Sequence, residues 1–510
     1  MHDVLVIGGG ISGLAVAARL QAQGLDTIVL ESHSQAGGCA GYYRRNGFSF
    51  DVGATTLVDF EPGGVGGELL EAIGMRLEGD ALPGYVACLP DATVTLYRDA
   101  RQWNEERLEK LGSTRAHRRF WALLDRLARV FWGAAHSGVK LPIRRLSDLL
   151  RAATAIRPID WPLARHLDST LCALLRRFGL RGDDRLAGLL GMLVEDTVHN
   201  TIDEASLINS ALGVTIRGAG LTQPRGGMES FIRAFVARYE ALGGDLRLGW
   251  RVDRIDRARG RAGPFRVASR RGELRATQVV CAVPAPLTAA LAPDLVGDRL
   301  RPFVDRDVGA QGSALLICIG VPEDEIEGPA FRHHQLLHDY RSPLGDGNNM
   351  FISVSAPGDL ECAPRGCRAV MISTHCGLAE WEGLSRTAYD EKKRALGERL
   401  VRLARRVYPR LGNRAVVQEV ATPRTYERFT RRPRGAVGGV RLSLRNANQR
   451  AIPHDLGPPG FWLTGDTTWP GLGTVACVLS SRIVARDALR FASGFGGARV
   501  HLPTLQEAPT

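Results

Sequence analysis

Residues 4–7 form an unbroken apolar run, the pattern of a strand buried on both faces. Gly8-Gly9-Gly10-Ile11-Ser12-Gly13 follows. Leu14, Ala17, Ala18 and Leu20 then recur at helical spacing until Gly24. Residues 27–30 read as a second strand, closed by Glu31. The order strand, glycine turn, helix returns far down the chain. Residues 461–464 are strand-like, a glycine-bearing stretch runs from Gly465 to Gly473, and residues 474–489 carry an apolar helical pattern. Between these ends, Pro224-Arg225-Gly226-Gly227-Met228 leads into a helix marked by Phe231, Phe235 and Leu242, and then into a strand-like run over 246–255. Residues 279–283 read as another buried strand, ending at Pro284. Strands are expected over 313–320 and 350–355, and a helix over 386–408.

The opening glycines have separate duties in a dinucleotide-binding turn. Gly8 allows the tight turn, Gly10 lets the backbone approach a pyrophosphate, and Gly13 lets helix and strand pack closely. The helix start offers free N–H groups and the positive end of its dipole to phosphates. Glu31 stands where a carboxylate accepts hydrogen bonds from ribose hydroxyls, which disfavours a 2′-phosphorylated cofactor. The second turn, Gly465-Asp466, favours FAD over NAD, because a simple NAD dehydrogenase has no use for it so far from the first.

A chain of 510 residues has room for two or three domains. Its 44% apolar and 24% charged residues argue against a disordered or fibrous protein, leaving residues 496–510 as a frayed tail. The net charge of +12 is carried by arginine, since lysine occurs only at 110, 140, 392 and 393. Such a charge suits an anionic surface, and an arginine-rich genome would produce it as well. Residues 113–190 concentrate it, with fifteen Lys and Arg against six Asp, and with Phe120, Trp121, Phe131, Trp132 and Trp161 among leucines at helical spacing. That combination reads either as a basic amphipathic face in an anionic membrane interface or as a solvated helical subdomain with its own core. Nucleic acid is not expected as a partner. No run of about 18 apolar residues is present to span a bilayer, and the first strand leaves no room for a leader. The nine cysteines show no CxxC and no metal spacing, so a reducing compartment without a disulfide framework is expected. His375-Cys376 reads as a buried thiol beside an incidental histidine. His333, His334 and His338 have zinc-like spacing but no acidic ligand to complete it, and no metal is expected.

Gly37-Gly38-Cys39-Ala40-Gly41 and Phe50-Asp51-Val52-Gly53-Ala54-Thr55-Thr56, with Phe60-Glu61-Pro62-Gly63-Gly64 after them, resemble the flavin amine oxidase superfamily. Within it they look most like carotenoid desaturases and isomerases, in particular phytoene desaturase-like enzymes and the C-3′,4′ desaturases. The resemblance implies an α/β fold: a Rossmann-like FAD-binding domain of the glutathione reductase/amine oxidase type, an α+β substrate domain, and a helical, membrane-associating subdomain. It divides the chain into a discontinuous FAD-binding domain (1–100, 215–290 and 425–495), a basic helical subdomain (101–214) and a substrate domain (291–424). It also implies non-covalent FAD held by Gly8, Gly10, Ser12, Gly13, Glu31, Gly38, Cys39, Gly53, Ala54, Thr55, Val252, Pro284, Gly465, Asp466, Thr474 and Val475. Val252 would meet the adenine through its main chain, and Asp466 the ribityl–pyrophosphate region. The helix start at Thr474 and Val475 would aim its dipole at the flavin N1/C2=O edge. Many superfamily members carry arginine where Cys39 stands, a departure that fits the carotenoid branch better than the amine oxidases. Thr422-Pro423-Arg424-Thr425-Tyr426-Glu427-Arg428-Phe429, followed by Gly435-Ala436-Val437-Gly438-Gly439, also resembles the desaturases, whose corresponding loop lies near the flavin.

The reaction so implied is FAD-dependent desaturation of an apolar carotenoid or polyene, with hydride passing to flavin N5 and a proton leaving elsewhere. A delocalised carbocation needs no strong base, so positioning and water exclusion should dominate. Glu195, Asp196 and His199 are the titratable candidates, with capping or solvent-facing roles as the alternative. A redox-neutral cis–trans isomerase, or a saturase, working with reduced FAD would share every binding motif. An amine oxidase needs an aromatic cage, for which 6% aromatic residues leave few side chains. A non-enzymatic scaffold is the remaining reading. The expected location is cytoplasmic, peripheral on the inner face of the membrane, with the electron acceptor (O2 or a quinone) left open.

Overall fold

The structure, a computed structural model, describes residues 1–258 and 263–495, so the tail expected at 496–510 lies outside the described residues. The apolar runs near both ends of the chain come together in one sheet. His2–Ile7 pairs in parallel with Thr27–Leu30 on one side and Gly272–Cys281 on the other. Asp245–Arg247 extends the sheet beyond Thr27–Leu30, and Phe461–Leu463 runs parallel to the end of Gly272–Cys281. Parallel strands are covered on both faces, and Val4, Leu5 and Val6 are wholly buried. The register sets Ile7 beside Leu30 and Cys281, and Cys281 beside Leu463. These four strands end at one level, and their turns open into one crevice, where open α/β sheets bind ligands. The helices Ile11–Ala22 and Thr474–Phe495 pack together over the sheet. Leu14, Leu20, Val478 and Ile483 share a core there with Phe231 and Phe235 of the helix Gly227–Ala241. The run expected as one strand over 246–255 is two, Asp245–Arg247 and Val252–Arg257, at opposite edges of the sheet. Gly249, with a φ of +63°, lies on the chain between them.

A second, largely antiparallel sheet carries, in order, Val417–Ala421, Gly312–Pro322, Cys367–Gly377, Asn349–Val354, His333–Leu337, Gly84–Cys88 and Thr93–Tyr97. Alternation sorts its two faces. Leu315, Ile317 and Ile319 pack under the helix Arg386–Ala404 with Leu396 and Leu400. Leu316, Cys318 and Met371 point the other way, onto Phe48, Phe50 and Tyr426. The hairpin over residues 84–97 therefore sits in this second sheet, with Gly84–Cys88 parallel to His333–Leu337. The division made from the sequence counts these residues with the FAD-binding domain, and their strands pair in the second sheet. Tyr85, Ala87, Val94 and Leu96 are buried against the helical layer, a partner the local sequence gives no sign of.

The helices Arg115–His136, Asp184–Val198 and Leu207–Thr215 form that layer around Phe120, Trp121, Leu124, Leu127, Leu189 and Leu193. Thr114 starts the first of them by accepting from His117 N. Phe120 and Trp121 are thus core residues and not part of an outward face. The stretch 422–429, expected as a loop, is mostly the helix Pro423–Thr430, and the helix expected over 386–408 stops at Ala404. Among the described residues no helix is long and apolar enough to cross a membrane.

Candidate flavin site and the polar cluster beside it

The opening turn works only with glycine in its key places. Gly8 sits at a φ of +104°, and a Cβ on Gly13 would lie 2.0 Å from the Gly8 carbonyl oxygen. Gly10 precedes the helix without a side-chain cap, which leaves the helix start open to an anion. Glu31 is fixed at both oxygens: Oε2 accepts from Gly9 N (2.7 Å) and Oε1 from His33 N (2.7 Å). Gly37 N donates to the Gly9 carbonyl (2.9 Å) and lays Gly38 against Gly10. Gly53 packs on the Cys39 carbonyl, and Ala54 and the buried Thr55 follow it.

The late turn meets the early one. Ser12 Oγ and Thr464 Oγ1 are 2.7 Å apart, and Ser12 Oγ also donates to the Cys477 carbonyl (3.3 Å). Thr464 N donates to the Cys281 carbonyl (3.0 Å), and Gly465 N donates to Ser480 Oγ (3.1 Å). Thr474 and Val475 begin the second helix beside the first, so two positive helix ends converge on one crevice. Pro284 opens the helix Ala285–Leu291 at the same level. Val252 is buried at the head of its strand, opposite Ser269. A backbone cradle without room for a Cβ, an uncapped helix start and a fixed carboxylate together fit a dinucleotide.

Asp466 does not stand alone. Its Oδ2 accepts from Arg432 Nη2 at 2.6 Å, with both side chains largely buried. Burial opposes the charge of Arg432, but Asp466 and Cys39 outweigh it and hold the guanidinium above its ordinary range. Burial pushes the Cys39 and Cys477 thiols up, and Arg432 partly restrains both. A cation therefore stands beside Cys39, supplied by the turn after the helix Pro423–Thr430. The sequence reading missed Arg432. Its one signal is an arginine-rich stretch just ahead of the Gly438-Gly439 pair.

Glu195, Asp196 and His199 close the helix Asp184–Val198. His199 takes a φ of +56° as its cap and donates its N–H to the Glu195 carbonyl, so the capping role holds for its backbone. The side chains assemble a cluster. The His199 ring lies 4.4 Å from that of His375 and against Gly438, where a Cβ would come 2.1 Å from Cε1. Glu195 accepts from Asn349 Nδ2 and lies 3.7 Å from His375 Nδ1. Asp196 Oδ2 accepts from Gln335 Nε2 (3.0 Å). Glu195 is 8% exposed, which rules out its solvent-facing alternative, and His375 is not incidental. No local signal marks His375, because its partners come from other elements.

Burial opposes the charge of His375, yet Glu195 outweighs it and raises the pKa of that ring. Burial, His375 and Arg441 hold His199 well below the ordinary histidine value. Burial raises Asp196. A histidine with a raised folded pKa stabilises the fold below its unfolded value, about 6.5, and that stabilisation is lost as pH rises through the folded value. In a His199→Asn background, adding His375→Gln should cost most urea stability on the acid side, with the gap closing at alkaline pH. A gap independent of pH would show that Glu195 does not hold a proton on His375.

His333 and His334 point to opposite faces of their strand. His333 meets Ser353 Oγ (2.9 Å), and His334 meets Tyr408. His338 lies beyond the strand, its N–H on the Asn348 carbonyl. Among the described residues, no group of three His, Cys, Asp or Glu is placed to hold a metal.

Two strand-turn-helix units facing one crevice, with a second sheet alongside, define a dinucleotide-dependent oxidoreductase of the flavoprotein type. A family model for flavin-containing amine oxidoreductases matches residues 11–489, and the chain belongs to that family. Its cofactor is FAD. The chain is 25% identical over 500 residues to a chloroplastic prolycopene isomerase of Daucus carota, covering 95% of this chain and 79% of the relative. It is 24% identical over 522 residues to a lycopene-forming phytoene desaturase of Pseudescherichia vulneris, covering 95% and 98%. Among solved structures, a putrescine oxidase superposes with a TM-score of 0.62 at 17% identity over 96% of this chain and 99% of that one, a likeness of fold alone.

Proposed function

We propose that the protein desaturates a long apolar polyene of the carotenoid class, with FAD held non-covalently along the crevice. The observation that carries this reading is that an apolar core of the second sheet closes directly on the flavin loop. Leu316, Cys318 and Met371 of the second sheet pack with Tyr426, whose hydroxyl donates to the Val52 carbonyl (3.0 Å) beside Gly53. The similarity to phytoene desaturases supports it.

Gly8, Gly10, Ser12 and Gly13 would take the pyrophosphate, with Arg432 as its cation. Glu31 would take the ribose, and the Val252 backbone the adenine. Gly38, Cys39, Gly465 and Asp466 would line the ribityl side, and Gly53, Ala54, Thr55 and Pro284 the ring side. Thr474 and Val475 bring a positive helix end to where negative charge gathers. The chemistry supplied by bound FAD is hydride acceptance at N5. Glu195 faces His375 and favours its charged form, burial disfavours the charged form of His199, and Asp196 stands behind them on Gln335. That packed core keeps water from its side of the flavin loop, and positioning does the rest.

Anaerobic incubation of the FAD-loaded protein with an acyclic polyene should yield a product of lower mass that absorbs at longer wavelength. Altered double-bond geometry at unchanged mass, in a parallel incubation with the FAD reduced, would instead mean redox-neutral isomerisation, the second reading, which the similarity to prolycopene isomerases favours. No product of either kind would overturn both.

We also propose that residues 146–167 dock on an anionic membrane surface, which would place the enzyme peripherally on the inner face. No residue of the helix Leu146–Ala155 is buried, and Leu146, Ile159 and Trp161 are 72%, 71% and 56% exposed. Arg145, just ahead of the helix, and Arg157 are exposed beside them, paired with Asp455 and Asp160. With Phe120 and Trp121 in the core, this surface is narrower than the whole of 113–190. Vesicles containing phosphatidylserine should co-sediment the protein, and the double substitution Leu149→Glu/Leu150→Glu should lower the bound fraction severalfold. Equal recovery in the supernatant with and without anionic lipid would contradict docking.

A further inference from the structure

The helix Pro423–Thr430 touches three separate segments of the flavin crevice. Tyr426 and Phe429, three residues apart, share one face of it, and Arg432 follows in the turn beyond. The Tyr426 hydroxyl donates to the Val52 carbonyl (3.0 Å), beside Gly53. The Phe429 ring meets the His33 ring edge to face, with centroids 5.6 Å apart and planes at 78°. His33 stands two residues past Glu31 and gives its N–H to that carboxylate (2.7 Å). Arg432 Nη2 donates to Asp466 Oδ2 (2.6 Å). One short helix therefore ties together the ribose loop, the loop ahead of Gly53 and the late glycine turn.

Little else holds this helix down. Of its eight residues only Pro423 and Tyr426 are buried, and an element with so little apolar burial opens far more readily than the whole chain unfolds. Phe429 is 45% exposed, so its ring adds little to any core. The two ends are built differently. The start is pinned, because Thr422 and Thr425 cap each other and the Tyr389 hydroxyl donates to Thr422 Oγ1 (2.6 Å). The far end carries two non-glycine residues in the left-handed region, Arg431 (φ +58°) and Arg434 (φ +63°). Lids move at such element ends, where a few residues absorb the backbone change. We propose that the helix Pro423–Thr430 is a strap over the crevice, that FAD enters and leaves when the strap lifts, and that the Phe429–His33 pair is its latch. The latch joins protein to protein, so it holds the strap down with or without FAD beneath it. Its loss raises the open fraction of both forms and speeds entry and exit alike, leaving the equilibrium nearly unchanged. A side chain that only touches FAD behaves otherwise, since its loss speeds exit and weakens binding in step. This inference rests on FAD lying in the crevice and not on the polyene reading.

The test measures FAD exchange in both directions. Stopped-flow mixing of FAD with the full-length apoprotein gives the entry rate from the quenching of flavin fluorescence, and dilution of the holoprotein gives the exit rate from its recovery. In Phe429→Ala both rates should rise about 2- to 10-fold, the range of an edge-to-face aromatic pair, while their ratio hardly moves. His33→Ala should behave alike, and the double variant should exceed neither single variant, because one contact serves both residues. Should Phe429→Ala fold poorly, Phe429→Leu keeps the bulk without the ring and should show the same acceleration. A faster exit with an unchanged entry rate would make Phe429 an FAD contact and overturn the strap. Unchanged rates in both directions, or additive effects in the double variant, would overturn it as well and leave the crevice assignment standing. Wild-type apoprotein that takes up no FAD would overturn both.

Discussion

Gly13→Val protein is expected to carry no flavin. The added Cβ would lie 2.0 Å from the Gly8 carbonyl oxygen and 3.1 Å from the Ala282 Cβ. Neither neighbour is free to move, because Gly8 N is tied to the Leu30 carbonyl (2.8 Å) and Ala282 N to the Ile7 carbonyl (2.9 Å). Overpacking costs about 1–3 kcal/mol even where side chains can shift, and here backbone must shift. The helix Ile11–Ala22 would have to leave the turn, and Ser12 would lose Thr464. Flavin per chain, read from the visible spectrum, should fall at least about tenfold, each tenfold being about 1.4 kcal/mol. Gly10→Ala is the matched control. A Cβ there meets nothing nearer than the Gly38 Cα at 4.0 Å, so the chain should fold and any loss of FAD reports on the cradle itself. Full flavin content in the Gly13→Val protein would mean that FAD does not depend on this turn.

Arg432→Met should weaken FAD about 10- to 100-fold, since a hydrogen bond to a charged group is worth about 1.5–3 kcal/mol. Two positive helix ends already face the crevice, and a third cation among them makes sense only if an anion comes to it. Asp466 offsets one charge, and the diphosphate would supply the rest. Fluorescence titration of the apoprotein measures this. Riboflavin, which lacks phosphate, should bind the wild type and the variant alike. The double variant Arg432→Met/Asp466→Asn separates loss of the phosphate contact from the cost of leaving a buried carboxylate alone. Restored affinity in Cys39→Arg/Arg432→Met would confirm that the cradle needs a cation and is indifferent to which loop delivers it. Unchanged FAD affinity in Arg432→Met would reduce the Arg432–Asp466 pair to a structural ion pair.

Much of this was legible in the sequence where the signal is local. The run at 4–7, the glycines behind it and Glu31 specify strand, turn and ribose partner within some thirty residues. Gly465 and Asp466 are equally plain, and the Ser12–Thr464 contact shows the two turns closing on each other. What the sequence could not show depends on pairing across the chain. The hairpin at 84–97 follows a stretch that reads as one domain, yet its strand is claimed by His333–Leu337. Arg432 reaches Asp466 from the turn after the helix Pro423–Thr430, a different element from either glycine turn. His375 acquires its role only because Glu195, on another element, lies 3.7 Å away. Leucine spacing alone could not tell a core face from a docking face over 113–190, and burial divides that segment: Phe120 is fully buried, while Trp161 is 56% exposed.

The central claim is that the early and late glycine turns hold one dinucleotide between them. Its most direct test is the flavin released from purified wild-type protein on denaturation. One intact FAD per chain, free in the supernatant, is the expected result. Protein that stays colourless after supplementation with FAD would contradict it.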